Sequence, residues 1–159
     1  MAPRLIYAQQ SPDPFKKLME LSGAVHGSSA GGVLQSLVEI RASQMNGCAF
    51  CLDMHIKQAK IRGESELRQY HIAIWRESPL FDAREKAALA WTEALTKLSD
   101  HGVSDEQFAA ARAAFSEKEL SDLTFAVALI NTWNRLSIAF RNVPGSQDKA
   151  FGLDKAGLG

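Results

Sequence analysis

Apolar positions along the chain recur at spacings of three and four residues, and no run alternates in the manner of a strand. Ser11-Pro12-Asp13-Pro14 has the form of a helix start, with proline at an early position. From there Phe15, Leu18, Met19, Leu21 and Val25 mark a helix that runs to a small-residue connection at 27–32. Leu34, Leu37, Val38 and Ile40 place a second helix over 33–45, which Asn46-Gly47 interrupts. A third begins at or near Cys48 and carries Cys51, Met54, His55, Gln58 and Ala59 along one side, with Gly63 as its stop. Glu64-Ser65-Glu66 opens the next, through Leu67, Tyr70, Ile74 and Trp75. Asp82-Ala83-Arg84-Glu85, Ser104-Asp105-Glu106-Gln107 and Ser116-Glu117-Lys118-Glu119 each have the form of a capping box, and each precedes an apolar-periodic segment. The last of these segments ends near Phe140, and the Pro144, glycines and lysines beyond it mark a flexible tail from about 142. The pattern predicts an all-α fold, a single domain over 1–159 with about six or seven helices.

Composition narrows the setting. A chain of 159 residues, 46% hydrophobic and 23% charged, is long enough to bury a core without staples. Eighteen basic residues balance eighteen acidic ones, so no net field favours nucleic acid or an anionic membrane. The start, Met1-Ala2-Pro3-Arg4-Leu5-Ile6-Tyr7, lacks the apolar run of a signal peptide. The apolar stretch 123–140 is broken by Asn131, Asn134 and Arg135, which reads as a core helix and not as a membrane span. The polar groups of Trp133-Asn134-Arg135 are expected to bond to a neighbouring helix or subunit. The expectation is a cytoplasmic protein, and in a reducing compartment a disulfide is more often catalytic than structural.

Both cysteines lie in Cys48-Ala49-Phe50-Cys51, and His55 follows four residues after the second. An unperturbed thiol titrates near about 8.5 and is mostly protonated at neutral pH. A cysteine in a first helical turn feels unpaired backbone N–H groups, and His55 lies above Cys51 on the same helical face. The imidazole can take the thiol proton or hold the thiolate, and Cys48 is close enough to resolve an oxidised sulfur into a disulfide. Two other readings stay open. The cysteines can be small buried hydrophobes at core spacing, or two thiolates and an imidazole can form a zinc site one ligand short of a structural one. Asp53 reads as a solvated residue, His26 and His101 as exposed turn or C-cap residues, and His71 as a surface or satisfied partly buried one. No phosphate loop, Ser-His-Asp order or basic-aromatic stripe is present, so no cofactor or nucleic acid is expected, and with no second Cys-x-x-Cys or His-x-x-x-His pair no metal is expected either.

At these residues the chain resembles the AhpD-like alkylhydroperoxidase group of the carboxymuconolactone decarboxylase superfamily. The resemblance runs from Ile40-Arg41-Ala42-Ser43-Gln44-Met45-Asn46-Gly47 through Cys48 and Cys51 to His55. It continues in Trp75-Arg76-Glu77-Ser78, in the segment 85–96, and in Asn131-Thr132-Trp133-Asn134-Arg135. It implies an all-helical fold, a homo-oligomer (trimer or hexamer) and thiol peroxidase chemistry. Carried over residue by residue, it makes Cys51 the attacking sulfur, Cys48 the resolving one and His55 part of a proton relay.

The relay of that group begins at a glutamate twelve positions before the first cysteine, where this chain has Ser36. Glu39 lies three residues further on, rotated by roughly 60° on an ideal helix. It can take the place of that glutamate if the helix turns it inward, and is a surface carboxylate otherwise. The expected function is an antioxidant peroxidase for hydroperoxides, re-reduced by a dithiol partner of lipoyl or thioredoxin type. The alternatives are a dithiol–disulfide oxidoreductase acting on a partner protein and a non-enzymatic oligomeric redox sensor.

Overall fold

The computed structural model describes residues 2–158, in which nine α-helices and two 3₁₀ turns account for the regular structure and no strand occurs. In chain order the helices are α1 (Tyr7–Gln10), α2 (Pro12–His26), α3 (Val33–Asn46), α4 (Ala49–Ile61) and α5 (Glu66–His71). They continue with α6 (Ala83–Thr96), α7 (Asp105–Ala114), α8 (Glu117–Phe140) and α9 (Asp148–Phe151). The 3₁₀ turns are Ile72–Ile74, directly after α5, and Leu153–Ala156, after α9. Helices α2 to α8 are the seven that periodicity anticipates. The other two helices, α1 and α9, are four residues each, too short for a 3.6-residue period to register.

Helix boundaries follow local chemistry. Asp82, Ser104 and Ser116 each accept from the backbone three residues on, and Glu85, Gln107 and Glu119 return the bond, so all three capping boxes are complete. α3 ends at Gly47, whose φ of 68° is left-handed. That single residue turns the chain so that Cys48 becomes the N-cap of α4, with its own N–H donated to the Ser43 carbonyl at 3.0 Å.

α3 is the hub. Gln35, Ser36, Leu37, Val38, Glu39 and Ile40 are all buried, and six successive buried residues exceed one full turn. The helix therefore packs on every side, against α4, α6 and α8. Glu93 of α6 ties this packing together. It accepts from Arg41 of α3 at 2.6 Å and from the Trp75 indole at 2.8 Å, and Arg76 also pairs with it. The Trp75-Arg76 and Glu93 portions of the sequence resemblance thus serve the scaffold. Among the described residues no helix is long and apolar enough to cross a membrane.

The segment after Arg141 departs from expectation. It does not fray: α9 and the last 3₁₀ turn lie on α4, with Leu153 and Ala156 buried. Lys57 donates to Asp53 and, at 2.7 Å, to Asp148, while the Gly145 N–H reaches Asp53 Oδ2 at 3.0 Å. Asp53 is therefore an anchor for the tail and not a solvated residue. Two buried apolar residues in so short a segment give no periodic signal, which is why composition alone suggested a loose end. Leu153→Ala is expected to cost about 2–5 kcal/mol, the usual range for a buried leucine, measured as a shift in the urea midpoint. A tail that contributed nothing would leave the midpoint where it is.

Candidate active site

The N-terminus of α4 carries both sulfurs. Cys48 is the N-cap, and its Sγ accepts the backbone N–H of Cys51 at 3.3 Å. Both thiols are free and buried. The neighbouring Cys48 thiol, as a hydrogen-bond donor, is the largest influence on the Cys51 sulfur and favours its ionisation. Burial opposes ionisation of Cys51, while Ser137, Asn134 and the nearby charge of His55 favour it. The balance brings the Cys51 thiol down to about 6. The same contact, together with burial, pushes the Cys48 thiol far above the ordinary range. The two sulfurs are thus divided into a thiolate and a thiol.

An amide network holds this end of α4 against α8. Asn46, at the close of α3, donates to Asn131 Oδ1 at 2.9 Å and to Asn134 Oδ1 at 2.8 Å. Asn134 in turn donates to Ser43 at 3.0 Å, and Asn131 to Thr96 at 3.1 Å. Asn134 therefore bonds to neighbouring helices and Trp133 donates to Ser22 of α2 at 3.1 Å, as anticipated, whereas Arg135 donates to Asn131 within α8. What the sequence did not disclose is that Asn134 and Ser137 also face the Cys51 sulfur. An amide and a hydroxyl on an apolar helix are signals of partnership without an address.

One turn along α4, His55 Nδ1 lies 3.1 Å from Glu39 Oε2 and 2.9 Å from Gln58 Oε1. Burial favours protonation of the Glu39 carboxyl, but the His55 charge and bonds from His26, His55 and Gln35 outweigh it and hold the group well below the carboxylate range. Burial likewise works against the imidazolium of His55, and the Glu39 charge overcomes it, raising the His55 pKa. An ionised carboxylate only accepts, which assigns a proton to Nδ1. Glu39 is thus turned inward. Ser36 is not part of this group: its hydroxyl accepts from Arg62 at 3.1 Å and faces its own helix at the Gly32 carbonyl.

Cys51, His55, Glu39 and Gln58 open on one cavity of about 500 Å³. Its other walls are mainly apolar, with Leu5, Ile6 and Tyr7 from the N-terminal segment, Phe15 and Met19 from α2, and Leu129, Ile130 and Trp133 from α8. Val143 and Phe151 of the tail complete it. His26, read from sequence as an exposed turn or C-cap residue, is exposed at the end of α2, and it also lines the cavity and lies 3.5 Å from Glu39 Oε1. His71 bonds Ser78 at 2.9 Å outside the cavity, and His101 is exposed. Among the described residues no group of three or more His, Cys, Asp or Glu side chains is placed to hold a metal ion.

A family model for carboxymuconolactone decarboxylases matches residues 12–94, from the start of α2 almost to the end of α6. The chain belongs to the carboxymuconolactone decarboxylase family. Its AhpD-like character is carried by a crystal structure from Agrobacterium tumefaciens, a protein of unknown function whose name proposes an antioxidant-defence AhpD role. That protein is 40% identical, with a TM-score of 0.85 over 90% of this chain and 98% of its own. YdfG, an uncharacterized protein of Bacillus subtilis, is 37% identical over 92% of this chain and 100% of its own length. YnjA of Escherichia coli, also uncharacterized, is 34% identical over 67% of this chain and 58% of its own. A peroxidase-related AhpD core protein from Ralstonia eutropha, at 19% identity and a TM-score of 0.76, shares the fold. So does the debrominase Bmp8, at 19% and 0.75. In this AhpD-like chain the matched segment holds His26, Glu39, Cys48, Cys51 and His55, whereas Tyr7, Asn134 and Ser137 lie outside it.

The alkylation rate of Cys51 is expected to reach half its maximum at a pH of about 6. Reactivity is then lost as pH falls through that value, because the thiolate takes a proton. Cys48→Ala removes the donor and is expected to move the midpoint up toward about 8.5, the ordinary thiol value. His55→Ala also raises it and slows the reaction near neutral pH. Iodoacetamide kinetics across pH check this, and profiles that coincide in wild type and both variants would defeat the electrostatic account.

Proposed function

We propose that this protein is a thiol peroxidase that reduces organic hydroperoxides through a Cys51–Cys48 disulfide. The observation that carries the reading is a cysteine with a lowered pKa, set at the wall of a largely apolar cavity beside a histidine–carboxylate pair. Cys51 thiolate attacks the distal oxygen of the hydroperoxide; an S–O bond forms as the O–O bond breaks. The departing alkoxide takes a proton from the imidazolium of His55 and leaves as the alcohol. Cys51 is now a sulfenic acid. Cys48, kept protonated by its raised pKa, gives up its proton and attacks the Cys51 sulfur; the S–S bond forms, and the hydroxyl leaves as water.

The cavity favours an organic substrate over hydrogen peroxide, since about 500 Å³ of mainly apolar space binds an alkyl or aryl group by burying it. Both sulfurs are buried and only Cys51 lines the cavity, which favours a small-molecule oxidant over a folded partner protein. The same constraint bears on the reductant. A lipoyl-type arm is thin enough to enter, whereas a thioredoxin-like partner brings its dithiol on a globular surface. Reopening the disulfide every turnover suits the reducing cytoplasm.

Peroxide challenge of the reduced protein, with thiol counting, mass measurement and turnover on a dithiol donor, tests the proposal. Cys51→Ser is expected to consume no peroxide. Cys48→Ser reacts once and accumulates sulfenic or over-oxidised Cys51; equal loss of the first turnover in both would overturn the division of roles. Glu39→Gln keeps size and removes the base, and turnover is expected to fall by about 10²–10⁴-fold, as for a positioned acid–base group. Ser36→Ala leaves turnover unchanged. The reverse pattern in this last pair would place the relay at Ser36 and refute the geometry.

A further inference from the structure

Glu39 carries two imidazoles. Its Oε2 faces His55 Nδ1 at 3.1 Å, and its Oε1 faces His26 Nε2 at 3.5 Å while also accepting from Gln35 Nε2 at 2.8 Å. The two histidines sit in opposite surroundings. The His55 side chain is 11% exposed and that of Glu39 8%, whereas His26, the last residue of α2, is 44% exposed. The order His55, Glu39, His26 therefore runs from the buried sulfur to solvent.

The reaction needs such a route. With Cys51 resting as a thiolate, oxidation consumes one proton: thiolate, thiol, hydroperoxide and H⁺ become disulfide, alcohol and water. Re-reduction by a dithiol returns one proton when the thiolate re-forms. A buried centre must thus exchange a proton with bulk water in each half-cycle, at the moment when an apolar substrate fills the cavity and excludes water. The titratable groups that line the cavity are Tyr7, His26, Glu39, Cys51 and His55, with Cys48 behind Cys51; no lysine or arginine is among them. Of these, His26 combines contact with Glu39 and access to solvent.

We propose that His26 is the solvent-side station of the relay, passing a proton between bulk water and Glu39 and, through Glu39, to His55. The proposal rests on the thiol peroxidase reading and adds a residue to it. It distinguishes a role in proton transfer from one in merely holding Glu39, because glutamine can donate a hydrogen bond to the carboxylate but cannot carry a proton across.

The test compares wild type, His26→Ala and His26→Gln in multiple-turnover peroxide reduction at low buffer concentration, with and without added imidazole. Turnover in both variants is expected to fall by roughly 10–100-fold, at or below the lower limit for a positioned acid–base group. Imidazole in the buffer is expected to restore His26→Ala in a concentration-dependent manner, since the vacated position is open to solvent, and not to restore His55→Ala, whose position is buried. Proton uptake, followed with a pH indicator, is expected to keep pace with disulfide formation in wild type and to limit it in His26→Ala. Full activity in His26→Gln, or a loss in His26→Ala that imidazole does not relieve, overturns the proposal and leaves the peroxidase reading intact. Wild-type protein that keeps both thiols under peroxide removes the reading and the proposal together.

Discussion

A carboxylate buried in the middle of the hub helix is the constraint on which the site depends. Glu39 lies on α3, which packs against α4, α6 and α8, where a lone buried charge is not tolerated. Removing one member of a buried ion pair typically costs about 3–5 kcal/mol, so its partners are obligatory. α4 must supply His55, α2 must end with His26 close by, and Gln35 must turn along α3 toward the same oxygen. The demand for partners thus bears on how three helices meet, and the cavity opens at their meeting point. The same carboxylate that needs the imidazolium favours it beside Cys51, whose thiolate that charge favours in turn.

A second set of polar groups governs the sulfurs. The Asn46, Asn131, Asn134 and Ser43 network joins the turn between α3 and α4 to α8, and every link is an amide or hydroxyl with a defined direction. A purely apolar contact would let α8 slide along that turn; directed hydrogen bonds do not. With the turn held, Cys48 caps α4, its thiol faces Cys51, and Ser137 and Asn134 complete the surroundings of the thiolate. The inequality of the two sulfurs follows from their positions in the turn and not from any difference in residue type.

The cavity is closed by the parts of the chain most remote from the Cys-x-x-Cys segment. Leu5, Ile6 and Tyr7 form one wall, and Tyr7 packs edge to face on Phe15 while its hydroxyl accepts from Asn142 at 3.4 Å. The tail forms another wall, clamped by Lys57 between Asp53 and Asp148. The cavity is thus assembled from segments near both ends of the chain around a central hub. The hub and its neighbours contribute the charged groups of the cavity, and the peripheral segments supply its apolar surface.

What the sequence by itself determined is local. Seven helices, three capping boxes, the interruption at Asn46-Gly47 and the register of Cys51 and His55 all depend on residues within one or two turns of each other, and each was legible from the local sequence. The choice between Glu39 and Ser36 was not. Helical register leaves the two roughly 60° apart, and only the packing of α4 and α2 on α3 decides which one faces the imidazole. His26, Asn134 and Ser137 were unreadable for the same reason, because each lies far along the chain from the sulfurs and its role is set by which helices touch. The tail was misread because two buried apolar residues have no period, and their burial depends on a surface of α4 that does not exist until the helices pack. Local geometry is encoded within a turn or two of sequence, whereas proximity between elements is a property of the folded chain alone.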